Sequence, residues 1–255
     1  MSAVSTLIEP NALAAMNEEI LDASTSDSSC NIVRPTAQEM LEAAEPFFSL
    51  IAGRRSVRQF APDAPPRELV MRAIEAATHA PSGMNKQPWR FVVVASESVK
   101  AEMVTRVSHE IETILTLLAG DEYAERVAGY LRNYATLFRN APFIINVLYR
   151  EYGQVIASLL ERSNISYPEN QEEAANPAMQ SVSAAIQNLQ LAAHAVGLAT
   201  CWMTAPLFAK QQLHELLKVE SPWQLAAVIP IGYAARDNTT APRRIRFDRV
   251  VRWID

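Results

Sequence analysis

Glycine and cysteine are both scarce in this sequence, and each shortage narrows the chemistry that the chain can perform. Only 7 of the 255 residues are glycine, and neither a G-x-G-x-x-G pattern nor a P-loop occurs. This absence argues against a dinucleotide-binding Rossmann unit and against a P-loop nucleotide site. The two cysteines, Cys30 and Cys201, are too few for a disulfide framework and lack the spacing of metal ligands.

Sequence motifs of the common hydrolases and metalloenzymes are missing too. The four histidines, His79, His109, His194 and His214, are scattered along the chain without the spacing of a metal site. The sequence contains no nucleophile elbow and no pattern for a Ser-His-Asp arrangement. If the protein is an enzyme, its reactive atoms are therefore expected to belong to a bound cofactor, and we predict no metal site.

Long apolar runs and a surplus of positive charge are also absent. The longest apolar runs, Phe143–Tyr149 and Leu225–Ile231, are much shorter than a membrane span, and residues 1–20 lack a secretory signal pattern. The net charge of −5 disfavours nucleic acid or an anionic membrane as the main partner. We therefore expect a cytoplasmic protein in a reducing compartment.

An apolar content of 49% is enough for a full hydrophobic core. Apolar β-rich runs are separated by helical patterns, which predicts an α+β fold of the three-layer α/β type around one sheet. The predicted strands are Phe91–Ala95, Phe143–Tyr149, Leu198–Met203 and Leu225–Tyr233. The predicted helices are Pro66–His79, Ser98–Leu118, Glu122–Phe138, Gly153–Arg162, Pro177–Val196 and Leu207–Lys218.

The two ends of the chain differ from its middle. Residues 1–34 include a serine-rich stretch and are predicted to form an N-terminal extension or mobile arm. Thr36 and Glu39 have the spacing of a capping box, so order is expected to begin near residue 35. No linker interrupts the remainder, which predicts a single domain over residues 35–255.

The stretch Ala80–Phe91 joins a helix to a strand and is unusually rich in polar groups for a connection. Its Pro, Ser, Gly and Asn residues end the helix, and its Trp offers a large apolar face. Such a loop can hold a planar ligand with polar edges. A turn followed by an edge strand is the plainer alternative. The residues with suitable groups are Pro81, Ser82, Gly83, Asn85 and Gln87.

A basic stretch, Gly53–Phe60, precedes that helix. In an extended chain, the i, i+2, i+4 spacing places Arg54, Ser56 and Arg58 on one side. Two guanidinium groups flanking a hydroxyl form a natural grip for phosphate or another anion. The plainer alternative for any single arginine here, including Arg55, is a solvated basic turn.

Together, Arg-x-Ser-x-Arg, a helix and Pro-Ser-x-x-Asn-x-Gln-Pro-Trp resemble the nitroreductase family of FMN-dependent oxidoreductases. The resemblance continues through Gly197–Met203, Ile229–Tyr233 and the arginine-rich tail, and it covers residues 46–255. It implies a central mixed sheet flanked by helices. It also implies a homodimer with FMN at the interface, in which a C-terminal strand, predicted at Phe247–Ile254, is exchanged between subunits.

The resemblance identifies the cofactor as FMN and implies where it is held. The basic stretch would contact the phosphate or ribityl region and the pyrimidine edge, the polar loop would come from the other subunit, and the tail would close over the phosphate. Thr204 and Ala205 fall where the family presents a backbone N–H to flavin N5, although many relatives have Glu-Gly or Gly-Gly there. The implied cofactor-binding residues are Arg54, Arg55, Ser56, Arg58, Pro81, Ser82, Gly83, Asn85, Gln87, Met203, Thr204, Ala205, Arg243, Arg244 and Arg246.

The implied activity is a ping-pong reaction. NADH or NADPH would pass hydride to N5, and a nitroaromatic compound or quinone would then receive the electrons, with nitro reduced to nitroso or hydroxylamine. This activity would serve nitroaromatic degradation or xenobiotic detoxification, and no protein group is assigned as catalytic acid or base. The family takes its substrate-facing residues from the helical stretch that here contains Tyr123, Tyr130, Tyr134 and Phe138, although plain helix packing also explains them.

Other activities of the same family remain open alternatives. These are a dehalogenase, an enone or quinone reductase, an azoline oxidase and a flavin-consuming enzyme. A dehalogenase is expected to show a Glu-Tyr-Lys lid set, and only Glu122-Tyr123 offers a partial match. A non-catalytic flavin-binding protein is a further alternative, whereas nucleic-acid binding by the arginine clusters conflicts with the acidic net charge.

Overall fold

The computed structural model describes residues 35–152, 159, 162–164, 176–236 and 241–254. The predicted extension 1–34, with Cys30, and most of the predicted helix Gly153–Arg162 lie outside the described residues. Two compact units are distinguished, Met1–Glu45 and Pro46–Asp255. The domain boundary predicted after residue 34 stays a prediction.

The capping box predicted in the first unit is confirmed. The Thr36 backbone N–H donates to Glu39 Oε2 at 2.8 Å, and the Glu39 N–H donates to Thr36 Oγ1 at 3.3 Å. Helix α1, Ala37–Gly53, begins at this point and contains Pro46 in its interior.

The second unit is built on a four-stranded sheet, which confirms the α+β fold. Its strands are β1 Trp89–Val94, β2 Phe143–Tyr149, β3 Ala199–Thr200 and β4 Gln224–Gly232, in the order β1-β2-β4-β3. All three strand pairs are antiparallel. The mixed character expected of the sheet rests on one parallel bridge, which joins Ser56 to Thr200.

Five helices surround this sheet. They are α2 Arg67–Thr78, α3 Glu97–Leu117, α4 Glu122–Ala135, α5 Pro177–Ala195 and α6 Lys210–Leu217. Side chains of Ser96, Asp121 and Asn176 cap the starts of α3, α4 and α5 by accepting backbone N–H bonds. The predicted helix Glu122–Phe138 ends at Ala135, and a short 3₁₀ turn, Leu137–Asn140, follows.

Two hydrophobic clusters fill the space between sheet and helices. Residues of α2 and α5 pack with alternate residues of β2 and β4, including Ile145 and Ile229. The other residues of the same strands, including Ile144 and Val228, pack with α3, α6 and the turn that holds Phe138. Because successive strand residues face opposite sides, the sheet lies between two layers of helices.

Two predicted strands need correction. Only Ala199–Thr200 of the predicted strand Leu198–Met203 forms a ladder, and Met203 makes an isolated bridge to Val228. The predicted edge strand Phe247–Ile254 is not a strand, since Phe247–Arg249 is a 3₁₀ turn and the described residues after it are irregular and mostly exposed. An edge strand needs a neighbouring ladder, and the described part of this one chain offers the tail none.

Asn146 is a polar residue in the centre of β2 and is fully buried. Its Nδ2 donates to Val92 O at 3.3 Å, but its Oδ1 is buried without a hydrogen-bond partner. Replacing Asn146 with Leu, which has the same number and branching of side-chain heavy atoms, should therefore raise the free energy of unfolding by about 1 kcal/mol, because it removes an unsatisfied acceptor. Urea unfolding measures this change, and a loss of stability would show that the amide bond to Val92 outweighs the unpaired oxygen.

None of the described helices is both long enough and apolar enough to span a membrane.

Candidate functional site

The basic stretch Gly53–Phe60 is held against the sheet by its backbone. The Val57 N–H donates to Thr200 O at 2.9 Å, and Ser56 forms the parallel bridge to the same residue of β3. Val57 is buried, whereas Arg58 is exposed, as the extended alternation predicts. The sheet edge thus fixes the backbone from which the arginine side chains project.

Three arginines of this stretch, Arg54, Arg55 and Arg58, form no ion pair with any carboxylate among the described residues. Arg58 Nη1 donates only to the backbone oxygen of Ser56, at 3.2 Å. Burial raises the pKa of the Cys201 thiol, and the charges of Arg58 and Arg54 partly oppose that rise, which places both guanidinium groups near the thiol. The segment is a local positive centre on an acidic protein.

Arg55 has a structural role at the end of α1. Its Nη1 donates to Ala52 O at 2.5 Å and to Arg54 O at 2.9 Å, which satisfies carbonyl oxygens at the helix C-terminus. Its Nε is buried and has no hydrogen-bond partner.

A cavity of about 220 Å³ lies beside the basic stretch. Its walls come from the end of α1, the end of α5, β3 and the segment after β4. No Asp or Glu is among its lining residues, so its electrostatic character is set by arginine and histidine. The lining residues are Gly53, Arg54, Arg55, Val57, His194, Gly197, Leu198, Ala199, Thr200, Ala234 and Arg236.

His194, in the last turn of α5, closes one side of this cavity. A Cβ on Gly53 would lie 3.1 Å from His194 Nε2, so the imidazole ring packs directly against the glycine backbone. Burial lowers the pKa of His194, and the charges of Arg54 and Arg55 lower it further. The lowered pKa favours the neutral imidazole beside these cationic neighbours.

The polar loop after α2 is braced by its own side chains. Ser82 Oγ accepts the Gln87 N–H at 3.0 Å, and Gln87 Nε2 donates to Asn85 Oδ1 at 3.2 Å. Met84, Asn85 and Gln87 all have φ between 44° and 52°. Such a left-handed conformation is strained for residues with side chains, and strain of this kind concentrates at functional loops.

Tyr152 lies against this loop at Gly83. A Cβ on Gly83 would come within 3.0 Å of the Tyr152 hydroxyl, so the close approach requires glycine. The hydroxyl is buried and has no hydrogen-bond partner. The loop and Tyr152 together present polar groups that are not fully used within the described chain.

The polar loop and the basic stretch do not meet in one cavity. None of Pro81, Ser82, Gly83, Asn85 and Gln87 lines the cavity beside Arg54. The described part of the chain therefore holds the two predicted halves of the cofactor site apart. That a second subunit brings these two halves together stays a prediction.

The predicted cofactor-binding residues Met203, Thr204 and Ala205 differ in accessibility. The Met203 side chain is buried in the hydrophobic core, so a cofactor contact here falls to its two neighbours. Thr204 is exposed, and its backbone oxygen accepts the Leu207 N–H at 2.9 Å. Ala205 opens the short 3₁₀ turn Ala205–Ala209.

The arginines of the tail are exposed. Arg246 donates to Asp248 through Nε at 3.2 Å and through Nη2 at 2.6 Å. Arg243 and Arg244 form no ion pair within the described ranges. An anionic ligand would compete with Asp248 for Arg246, whereas the other two guanidinium groups are available.

The predicted substrate-facing aromatics fall into two groups. Tyr130 and Tyr134 stack on α4 with ring centroids 5.1 Å apart, and the Arg126 guanidinium lies 5.4 Å from the Tyr123 ring centre. Tyr123 and Tyr130 are exposed. Phe138 is fully buried in the core, so its burial conflicts with the predicted substrate contact.

The structure adds residues that the sequence did not indicate. His194 and Arg236 line the cavity, and Tyr152 lies against the polar loop. Their positions in the chain are remote from the arginine stretch, and no local motif marks them. Only the tertiary contacts of β3 and α5 bring the first two beside Arg54.

The chain is similar in sequence to known proteins of one family. The nitroreductase family model matches residues 51–233. An iodotyrosine deiodinase from Danio rerio is 28% identical over 226 residues, which covers 87% of this chain and 72% of the relative.

Two solved structures share the fold. A BluB-like flavoprotein from Clostridium difficile 630 superimposes with a TM-score of 0.75 and 26% identity, covering 82% of this chain and 99% of that one. An iodotyrosine deiodinase bound to FMN and 3-iodo-L-tyrosine has a TM-score of 0.59 and 25% identity, covering 82% and 98%. Because the family model spans most of the sequence, the chain belongs to the nitroreductase family.

Proposed function

We propose that this protein is an FMN-dependent oxidoreductase that uses NAD(P)H to reduce a small aromatic acceptor, with nitroaromatic compounds and quinones as its substrate class. The observation that carries the proposal is the basic stretch, in which three arginines lack acidic partners among the described residues. A flavin phosphate supplies the negative charge that this stretch lacks. The membership of the nitroreductase family supports the same cofactor.

The residues present fit the chemical groups of FMN. Arg54 and Arg58 suit the phosphate or ribityl region and the pyrimidine edge, and Ser56 offers a hydroxyl between them. The orphaned Nε of Arg55 and the orphaned hydroxyl of Tyr152 are buried polar groups of the kind that a ligand satisfies. Arg243 and Arg244 supply further unpaired cations.

The protein would act mainly by binding FMN and tuning its reactivity. When bound, FMN supplies reversible two-electron chemistry, taking hydride from NAD(P)H and giving electrons to a second substrate in a ping-pong cycle. Backbone N–H groups near Thr204 and Ala205 would stabilise negative charge that develops on the ring during reduction. No side chain is needed as a general acid or base.

A homodimer would bring the two halves of the site together. The polar loop of one subunit would then approach the basic stretch of the other, as the family resemblance implies. The tail supports this arrangement, because Phe247, Trp253 and Ile254 are 77–86% exposed in the single chain. Exposed apolar side chains of this size are typical of a surface that pairs with another chain.

The acceptor is proposed to be aromatic and not an amino acid. The stacked rings of Tyr130 and Tyr134 form an aromatic surface on α4. The sequence has no lysine between residues 101 and 209, so the helical stretch cannot complete a Glu-Tyr-Lys set. This favours nitroaromatic or quinone acceptors.

Reductive dehalogenation is a second candidate, since curated relatives of this chain include iodotyrosine deiodinases. The same FMN site would serve either reaction. The two candidates differ in acceptor recognition, so 3-iodo-L-tyrosine serves as the comparison substrate.

An absorbance spectrum of the purified protein tests the proposal. Bands near about 370 and 450 nm should appear, should bleach on anaerobic addition of NADPH or NADH, and should return when a nitroaromatic compound is added. Recovery with 3-iodo-L-tyrosine, accompanied by iodide release, would favour the dehalogenase instead. A colourless protein that takes up no added FMN would overturn both candidates.

A further inference from the structure

Two arginines share one tryptophan at an end of the sheet, and we name these three residues the Arg-Trp-Arg cluster. The Arg90 Cζ atom lies 4.1 Å from the centre of the Trp223 ring, and the Arg150 Cζ atom lies 5.5 Å from it. Contacts between a guanidinium group and an indole ring stabilise the cation and restrict its orientation. Trp223 is half-buried and both arginines are exposed, so the cluster presents two oriented cations to solvent.

Three strands bring the cluster together. Arg90 is the second residue of β1, Arg150 follows the last residue of β2, and Trp223 precedes the first residue of β4. The strand residues next to the last two, Tyr149 and Gln224, are paired across the sheet. The positions of the cluster are therefore set by the ladder of the sheet and not by a loop.

The two guanidinium groups of the cluster have no acidic partner. Neither Arg90 nor Arg150 forms an ion pair with any carboxylate among the described residues, although Glu151 and Glu220 are close to the cluster along the chain. Two like charges beside one ring repel each other, and a bound anion offsets that repulsion. On a protein with a net charge of −5, such a local positive centre indicates an anionic ligand.

A third cation flanks the cluster. Lys210 Nζ donates to Gln224 Oε1 at 2.5 Å and lies 5.7 Å from the centre of the Tyr149 ring. Gln224 and Tyr149 are the chain neighbours of Trp223 and Arg150. Lys210 also lacks an ion pair among the described residues, so three positive charges are available to an anion that carries several oxygens.

The cluster borders the polar loop. Arg90 is three residues after Gln87, the last of the predicted cofactor-binding residues in that loop. The Arg150 N–H donates to Pro88 O at 3.0 Å, which ties the end of β2 to the end of the loop. Under the proposed function this loop lies at the flavin, so a long substrate bound over the flavin can extend from the loop to the cluster.

We infer that the Arg-Trp-Arg cluster binds the 2′-phosphate of NADPH and makes NADPH, and not NADH, the preferred hydride donor. The inference rests on the proposed function, because it concerns the donor of that reaction. The two nucleotides differ only in this phosphate, which is remote from the nicotinamide carbon that gives up the hydride. The cluster would therefore select the donor without taking part in the transfer, and its guanidinium groups suit bidentate contact with phosphate oxygens.

Anaerobic bleaching of the bound flavin tests the inference without any acceptor. The second-order rate constant for bleaching by NADPH should fall about 10-fold in Arg90→Gln and in Arg150→Gln, as loss of a hydrogen bond to a charged group predicts. The constant for NADH should stay within a factor of two. Arg139→Gln, which removes an exposed arginine from the turn after α4, is the matched control and should leave both constants unchanged.

A binding measurement examines the cluster independently of hydride transfer. Adenosine 2′,5′-bisphosphate carries the 2′-phosphate without the nicotinamide, and calorimetry should show that the wild type binds it at least about 10-fold more tightly than adenosine 5′-monophosphate. This advantage should shrink in Arg90→Gln and in Arg150→Gln. It should also shrink as the salt concentration rises, because salt screens charges that are exposed to solvent.

Three results would contradict the assignment while the flavin function stands. These are equal bleaching by NADPH and NADH in the wild type, an unchanged preference for NADPH in both variants, and an equal loss with both nucleotides, which would indicate a distorted loop. A bound flavin that neither nucleotide bleaches would instead overturn the donor in the proposed function, and the inference with it.

Discussion

Arg58→Ala should bind FMN about 10- to 100-fold more weakly than the wild type, because hydrogen bonds to charged groups contribute about 1.5–3 kcal/mol each. Arg58 is exposed, it has no acidic partner in the described chain, and its one hydrogen bond, to Ser56 O, is local. Its removal should therefore alter ligand binding and leave the fold intact. The flavin that stays bound after gel filtration, measured as the ratio of flavin to protein absorbance, reports the loss.

Two comparison variants make this prediction specific. Arg58→Lys keeps the charge but loses the planar fork, so it should retain FMN better than Arg58→Ala and less well than the wild type. Arg139→Ala removes an exposed arginine from the turn after α4 and should leave FMN retention unchanged. An Arg58→Ala protein that stays as yellow as the wild type would show that this side chain does not touch the cofactor.

The parts of the fold that were predicted correctly have strong local signals. The apolar run of β2, interrupted by Asn146, predicted the strand Phe143–Tyr149 with its observed ends, and β4 differs by one residue at each end. The capping box at Thr36 fixed the start of α1. In these cases the residues that determine the element lie within it.

The parts that were missed depend on partners elsewhere in the chain. The run Leu198–Met203 is apolar apart from Thr200, yet only two residues join the ladder. The next position along β4 is Pro230, which accepts from the Cys201 N–H but has no backbone N–H to donate in return. The tail Phe247–Ile254 is rich in aromatic and β-branched residues but has no neighbour to pair with in the described chain. Periodicity indicates which residues could form a strand and does not supply the second strand.

The residues of the candidate site likewise fall into those marked by a local sequence pattern and those brought together only by tertiary packing. The basic stretch and the polar loop could be recognised from the sequence because several polar groups occur close together in each of them. His194 and Arg236 were not, since their proximity to Arg54 arises from packing between segments about 140 and 180 residues apart. Phe138 shows the opposite error, in which a residue next to exposed aromatics was assigned the same role although it faces the core.

Phe138→Ala should lower the free energy of unfolding by about 3–5 kcal/mol, as for other fully buried aromatic residues. Phe138 has no exposed surface and packs in the cluster shared by α3, α6 and the sheet, so truncation leaves a cavity that the surrounding strands cannot fill. The loss should appear as a lower denaturant midpoint. The substitution should leave the Michaelis constant for the acceptor near the wild-type value in protein that remains folded.

Tyr130→Ala is the matched variant, since Tyr130 is a large exposed aromatic on the neighbouring helix and stacks only on Tyr134. Its truncation should reduce stability by no more than about 1 kcal/mol, the energy of one exposed ring pair. If α4 faces the acceptor, the Michaelis constant should rise in this variant and not in Phe138→Ala. The reverse pattern, a stable Phe138→Ala protein with a raised Michaelis constant, would return Phe138 to the substrate site. That outcome would require the core to tolerate the loss of Phe138, the largest of the fully buried side chains among the described residues, which close packing disfavours.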